Sequence, residues 1–182
     1  MSRTGKLLIS PPKVRGNFWE KSVIFVTEDH DRGSIGLVLN KPSKMPIAEF
    51  SKQHGVDSSV KGFINVGGPV NVNALTVLHS PEWSCGNTMQ INEDYCLSSS
   101  SDLLQRFASG DTPMKWRMFA GLCAWAPDQL KSEIKGERGY DHTCSWLIAT
   151  PNYFTVFDLD ELEQWTNSVE RSGSEFAQTI LA

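Results

Sequence analysis

The chain has 182 residues, 40% hydrophobic and 21% charged, with a net charge of −4 and a pI of about 5.6. That is the composition of an ordinary globular protein long enough to bury a real core, with nothing that reads as disordered before the last turn or two. The 17 Lys and Arg are scattered, which argues against a protein that lives on phosphate contacts.

The apolar run near the start, Leu7 to Ile9, is too short for a signal peptide (roughly 7–15 apolar residues) or a membrane span (~20). A cytoplasmic protein with no membrane contact is expected. Cys85, Cys96, Cys123 and Cys144 show no C-x-x-C spacing and read as free thiols.

The segment SVIFVTEDHDRGSIGLVLNKP predicts a β-hairpin. Ser22 to Thr27 and Ser34 to Leu39 form its strands, and Glu28 to Gly33 a polar loop of about six residues. Gly36 inside the second strand implies a close backbone approach or a bulge. PIAEFSKQHG predicts a short helix with Ile47 and Phe50 on one face, closed by Gly55. GFINVGGPV reads as a strand entering a Gly-Gly-Pro turn, and ALTVLHS and TMQI as further strands. SSSSDLLQRFASG predicts a helix with serines as N-cap and Gly110 as its stop.

KWRMFAGLCAWA has the apolar density of a buried strand, after which Pro127 suits the first position of a helix. CSWLIATP reads as a strand, and NYFTVFD as a strand or an irregular segment. DLDELEQWTNSV and SGSEFAQTIL read as two terminal helices, the first capped by Asp158 or Asp160. With no regular β-α-β alternation a Rossmann-type sheet is not expected. The expectation is an α+β fold, one domain over residues 1–182, with a bent, coiled or barrel-like mixed sheet. Flanking helices complete it, the acidic C-terminal ones from about residue 158.

The common catalytic signatures are absent: no P-loop, no G-x-G-x-x-G, no G-x-S-x-G and no H-E-x-x-H. Gly67-Gly68-Pro69 reads as a tight turn, or as a nest whose N–H groups bind an anion. His30, between Asp29 and Asp31, is a solvated loop tip, or a general base or metal ligand. His79 ends a strand as a hydrogen-bonded, half-buried side chain or as a site residue. His142 and Cys144 share a strand face, but a structural zinc site needs four ligands, so neither metal nor cofactor is expected. Cys123 reads as a small core residue, reactive only if the helix start near Pro127 lowers its pKa. On the helix after Pro127, Leu130 and Ile134 turn inward. Gln129 and Glu133, four apart, form a solvated face or, beneath Trp125, a grip on a ligand or partner.

In order along the chain, GSIGLVLNKP, NVGGPV, VLH, GLCAWAPDQLKSEI and SWL resemble the AlgH/YqgE family of bacterial proteins. LLISPP and FWEKSVIFVTEDHDRG are similar to that family's opening, and the resemblance spans about Gly5 to Phe157. It implies an α+β fold with a coiled, branched sheet in a cytoplasmic bacterial protein. It carries the label of transcriptional regulator and no catalytic residues. The chain departs from the family where Asp128 stands in place of a common Gly. Nothing between Trp83 and Ser98 matches, and the acidic C-terminal helices lie outside the resemblance.

The leading functional expectation is a regulatory or binding domain for a small ligand or a protein partner. Its expected binding residues are Asn40, Gly67, Gly68, His79, Trp125, Gln129 and Glu133. The alternative is a hydrolase or transferase of unlisted type near the Gly-Gly-Pro turn and the Trp125–Glu133 segment, with His79 or Glu133 as acid/base. Direct DNA contact ranks last, because the chain is acidic and no helix-turn-helix with a basic recognition helix is evident.

Overall fold

The computed structural model describes residues 2–137 and 145–181. Its strands are β1 (Leu7–Ile9), β2 (Val23–His30), β3 (Gly33–Val38), β4 (Pro42–Pro46), β5 (Phe63–Val66), β6 (Val70–His79), β7 (Thr88–Gln90), β8 (Cys96–Ser98), β9 (Trp116–Trp125) and β10 (Leu147–Ala149). Its helices are α1 (Ile47–Gln53), α2 (Leu103–Ala108), α3 (Gln129–Lys135) and α4 (Glu161–Leu181). A π-helical turn, Phe154–Asp158, precedes α4. The fold is the expected α+β architecture: one ten-stranded, mostly antiparallel sheet, curled into a half-barrel, in the order β10-β1-β2-β3-β9-β6-β8-β7, with β4 and β5 branching off it.

The apolar runs of β1 and β2 do not alternate with polar residues because both faces of the sheet are covered. Side chains two apart share a face. Leu7, Ile9, Val23, Phe25 and Leu37 point into one core with Phe119, against which Trp165 and Val169 of α4 pack. Leu8, Ile24, Val26 and Val38 point the other way, onto Trp125, Leu130 and Trp146. A third core, Ile64, Val77, Leu103, Phe107 and Met118, fills the far half beneath α1 and α2.

The sheet divides at β9. Its first part pairs with β6, from His79↔Trp116 to Leu75↔Ala120, and runs parallel to β5 through Asn65↔Phe119 and Val66↔Ala120. Its last residues pair instead with β3, Ile35↔Ala124 and Gly36↔Cys123. Gly67 sits in the crotch. Its N–H donates to Ala120 O at 2.9 Å, and its carbonyl accepts from Val38 N–H at 2.9 Å. A Cβ on Gly67 would stand 2.2 Å from Gly121 O, and Gly121 itself has φ +77° with Gly68 O 2.5 Å from where its Cβ would be. Two main chains cross there at a distance only glycine allows. Gly36 shows the close approach its position implied, 2.7 Å from Ile24 Cγ2 to an added Cβ, opposite a register shift between Val26 and Glu28.

Four local expectations need correction. The hairpin loop is two residues, Asp31 and Arg32, not six, because Glu28, Asp29 and His30 continue the ladder opposite Ile35, Ser34 and Gly33. Their polarity marks a strand end that leaves the core, not a loop. The serines before α2 do not cap it: the Ser100 hydroxyl bonds the Asp102 carboxylate instead. Pro127 is not the first residue of α3. Gln129 N–H donates to Ala126 O at 3.0 Å, and Asp128 has φ 61° and ψ −8°. With φ of Pro127 fixed near −65°, that is a type II turn, which favours Gly at the Asp128 position. The two terminal helices are one, running through Gly173. Ser172, read as the start of the second helix, is where the single helix lies close: with Ser168 it is buried against the body of the protein.

Replacing Gly121 by Ala forces both a left-handed residue and a backbone clash, and is expected to destabilise the fold by roughly 3 kcal/mol or more. Gly173→Ala, in open space on a helix, is expected to stabilise by about 1 kcal/mol. Urea denaturation of the two variants checks both signs.

Candidate functional site

The seven residues singled out from the sequence do not gather in one pocket; they occupy four places, and all but Gly68 make hydrogen bonds within the protein. Asn40 follows β3 and is buried. Its Oδ1 accepts from Val23 N–H at 2.9 Å, and its Nδ2 donates to Lys21 O at 2.7 Å and Glu161 O at 3.0 Å. The adjoining Lys41 Nζ donates to Glu20 O at 3.3 Å and stands over the Phe18 ring. Burial lowers its pKa, against the pull of Glu20 and Glu161. The Asn-Lys pair therefore ties the Glu20-Lys21 turn, where Lys21 has φ 52°, to the start of α4.

Gly67 and Gly68 are the strand crossing. Both are buried, and the Gly67 N–H is spent on Ala120, so it has no hydrogen left for an anion. Cys123 donates its thiol to Gly67 O at 3.4 Å. Burial pushes that thiol up to about 12, so it is a core residue and not a nucleophile at neutral pH.

Trp125, Gln129 and Glu133 do come together, with Trp146 added. Glu133 Oε2 accepts the indole N–H of Trp125 at 3.0 Å and that of Trp146 at 2.8 Å. Glu133 Oε1 accepts Gln129 Nε2 at 2.9 Å, and Gln129 Oε1 accepts Ala126 N–H at 2.9 Å. One carboxylate thus satisfies two indoles and an amide, and charge-assisted bonds of this kind are the strong ones. The Gln129/Glu133 pair is half-buried, and its polar atoms are engaged inside the protein. It is the clasp that seats α3 and β10 on the second core. Trp146 was not among the seven, though it stands in the SWL motif.

His79 is fully buried. Its Nδ1 lies 2.7 Å from Ser80 O and its Nε2 2.7 Å from Ser98 Oγ, which in turn meets Thr88 Oγ1 at 2.6 Å. With Nδ1–H donating to the carbonyl, Nε2 accepts from Ser98. Burial lowers the His79 pKa, outweighing the carbonyl of Ser80 and the charge of Glu82, so the ring is neutral. This resembles a Ser-His pair, but Ser98 is also fully buried and no substrate reaches it. Ser98 and Thr88 lie in the stretch that matched no motif.

Two open clefts among the described residues lie elsewhere, and none of the seven lines them. One of about 420 Å³ sits at the hairpin tip, between Asp29, Asp31 and Arg3 on one side and Asp128 and Lys131 on the other. Burial raises the Asp29 pKa, but hydrogen bonds from Ser34 Oγ at 2.7 Å and Arg3 N–H at 2.6 Å outweigh it and hold the carboxyl below its usual range. His30, beside it, is exposed and meets Glu28 Oε2 at 3.3 Å. Among the described residues no group of three or more His, Cys, Asp and Glu is placed to hold a metal, and His142 and Cys144 lie outside those residues. A second cleft, about 320 Å³, separates the Pro12–Lys21 loop from Trp165 of α4. Among the described residues no helix is long and apolar enough to cross a membrane.

A curled, branched sheet with internally clasped polar side chains defines the class: an α+β fold whose buried and half-buried polar residues hold the branch together. The AlgH-like family model (DUF179) matches residues 7–177, and the chain belongs to that family. A UPF0301 protein of Shewanella denitrificans is 32% identical over 177 residues, covering 94% of this chain and 92% of its own. One from Shewanella loihica is 30% identical with the same coverage. The solution structure of the AlgH protein from Pseudomonas aeruginosa superposes with a TM-score of 0.77 at 27% identity, over 95% of this chain and 90% of that one. The crystal structure of protein DIP2367 from Corynebacterium diphtheriae shares the fold, with a TM-score of 0.68 at 18% identity over 90% of this chain and 83% of that one.

Because the folded pKa of His79 lies below the ordinary 6.5, the unfolded chain takes a proton first as pH falls. The stability His79 contributes is full above pH 6.5 and is lost below it, by up to about 1.4 kcal/mol per pH unit. Urea midpoints are expected to drop between pH 7 and pH 5, above the carboxylate range, and His79→Gln is expected to flatten that slope. Equal slopes in the two proteins would show that another group is responsible.

Proposed function

We propose that this protein is a binding module that engages a protein partner along α4 and acts on it by contact, not by chemistry. One observation carries this reading: the core-facing seam of α4 runs off the end of the protein. Trp165, Val169 and Ser172 lie on that seam and pack inward. The same spacing continues to Phe176 and Ile180, which are 69% and 67% exposed. A helix presents i, i+4 and i+7 positions on one face, so the stretch is built to be covered. Among the described residues nothing covers it.

Charge selects the partner. Residues 158–182 hold six acids and one Arg. Glu163 and Glu170 flank a shallow apolar cleft of about 370 Å³ beside Leu162. Such a surface favours a basic amphipathic segment and disfavours pairing of two copies. The same charge opposes DNA, so a regulatory role fits contact with a protein better than contact with an operator. Catalysis is the weaker reading because Asn40, His79, Gln129 and Glu133 are all engaged inside the protein.

A photo-crosslinking side chain at position 180, in cells, is expected to capture one discrete protein through a Lys- or Arg-rich segment. Phe176→Glu is expected to abolish the adduct. Adducts at exposed Met114 but none at position 180 would contradict the docking surface.

A further inference from the structure

We propose that the cleft between the Pro12–Lys21 loop and the start of α4 binds a small planar anion. Its ring lies against Trp165 and its carboxylate or phosphate between Arg15 and Lys21. The cleft, about 320 Å³ and lined by Pro12, Val14, Arg15, Glu20, Lys21 and Trp165, is the size of one ring with one anionic group.

Its parts are matched in chemistry. Arg15 and Lys21 are exposed, and among the described residues neither is in an ion pair, so their charge is free for a ligand. Glu20, the cleft's acid, is engaged by the loop itself: its Oε2 accepts Gly16 N–H at 2.8 Å. Lys21 Nζ stands 6.0 Å from the centre of the Trp165 ring, so an anion held by Lys21 lies within reach of the indole face. Residues 1–21 carry five cations and one acid in a chain of net charge −4. The field at this loop is therefore opposite in sign to that of the protein as a whole.

The site is also held in advance. Trp165 Nε1–H donates to Ser10 O at 2.8 Å, fixing the plane of the ring. Lys21 keeps its left-handed backbone because Asn40 Nδ2 grips its carbonyl, while Lys41 Nζ grips that of Glu20. The Asn-Lys pair of the GLVLNKP motif is thus a positioning device for the cleft, though neither residue lines it. A site ordered before binding loses less entropy on binding. The proposal is independent of partner docking: Trp165 and Phe176 are about 16 Å apart along the helix.

The test is an NMR titration of the ¹⁵N-labelled full chain with phenyl phosphate, benzoate and inorganic phosphate, following the Trp165 indole N–H. Phenyl phosphate or benzoate is expected to shift that signal saturably, and which of the two binds tighter identifies the anionic group. Inorganic phosphate is expected to bind at least about tenfold more weakly, because it lacks the ring. Arg15→Gln/Lys21→Gln, both exposed positions, is expected to weaken binding at least about tenfold with an unchanged urea midpoint. Any of three results would overturn the proposal: no saturable shift up to about 10 mM, inorganic phosphate as tight as phenyl phosphate, or unchanged affinity in the double variant.

Discussion

Everything in this structure turns on the crossing of two main chains at Gly67 and Gly121. One strand, β9, must serve β6 and β5 along its first part and β3 at its end. That is possible only where the incoming β5 strand can leave β9 and hand its carbonyl to Val38. Any side chain at the crossing would meet a carbonyl oxygen at 2.2–2.5 Å. The crossing curls the sheet and creates two separate cores on its first half. It also leaves the third core to be closed by α1 and α2. Because the backbone itself is the point of contact, no repacking of side chains can substitute for it.

The residues that recur as motifs are best understood as fasteners around this branch. Asn40 and Lys41 fasten the Glu20-Lys21 turn and α4; Glu133 fastens Trp125 to Trp146; His79 fastens β6 to β8 through Ser98. Each is a buried or half-buried polar group with its partners supplied, which rigidifies a structure more than an apolar equivalent does. The function proposed for the protein then falls to surfaces outside these fasteners: the free end of α4 and the cleft beside Trp165.

Much of the fold was legible. The apolar runs of β2, β3 and β9 announced strands, Gly36 announced a close approach, and Ile47 and Phe50 placed α1 on the third core. Errors came where exposure and structure part company. Glu28 to His30 are polar because a strand projects from the core, and Ser172 is small because its helix lies close to the body of the protein, while Gly173 beside it faces open space. Asp128 shows the reverse: its left-handed turn favours the Gly that the family resemblance implies there. The candidate residues were read as binding residues, and their hydrogen bonds inside the protein were not legible. Whether Glu133 meets water or two indoles depends on Trp146, thirteen residues on and across a core. The Lys21–Trp165 cleft joins the two ends of the chain, a distance no local pattern spans.

Native-state hydrogen exchange tests the primacy of the crossing most directly. If the account holds, the amides of Gly67 and Val38 exchange only through global unfolding, with the same free energy as Phe25 in the centre of β2. Exchange of Gly67 and Val38 through a local opening, while Phe25 stays protected, would show that the branch is an appendage and not the constraint on which the fold depends.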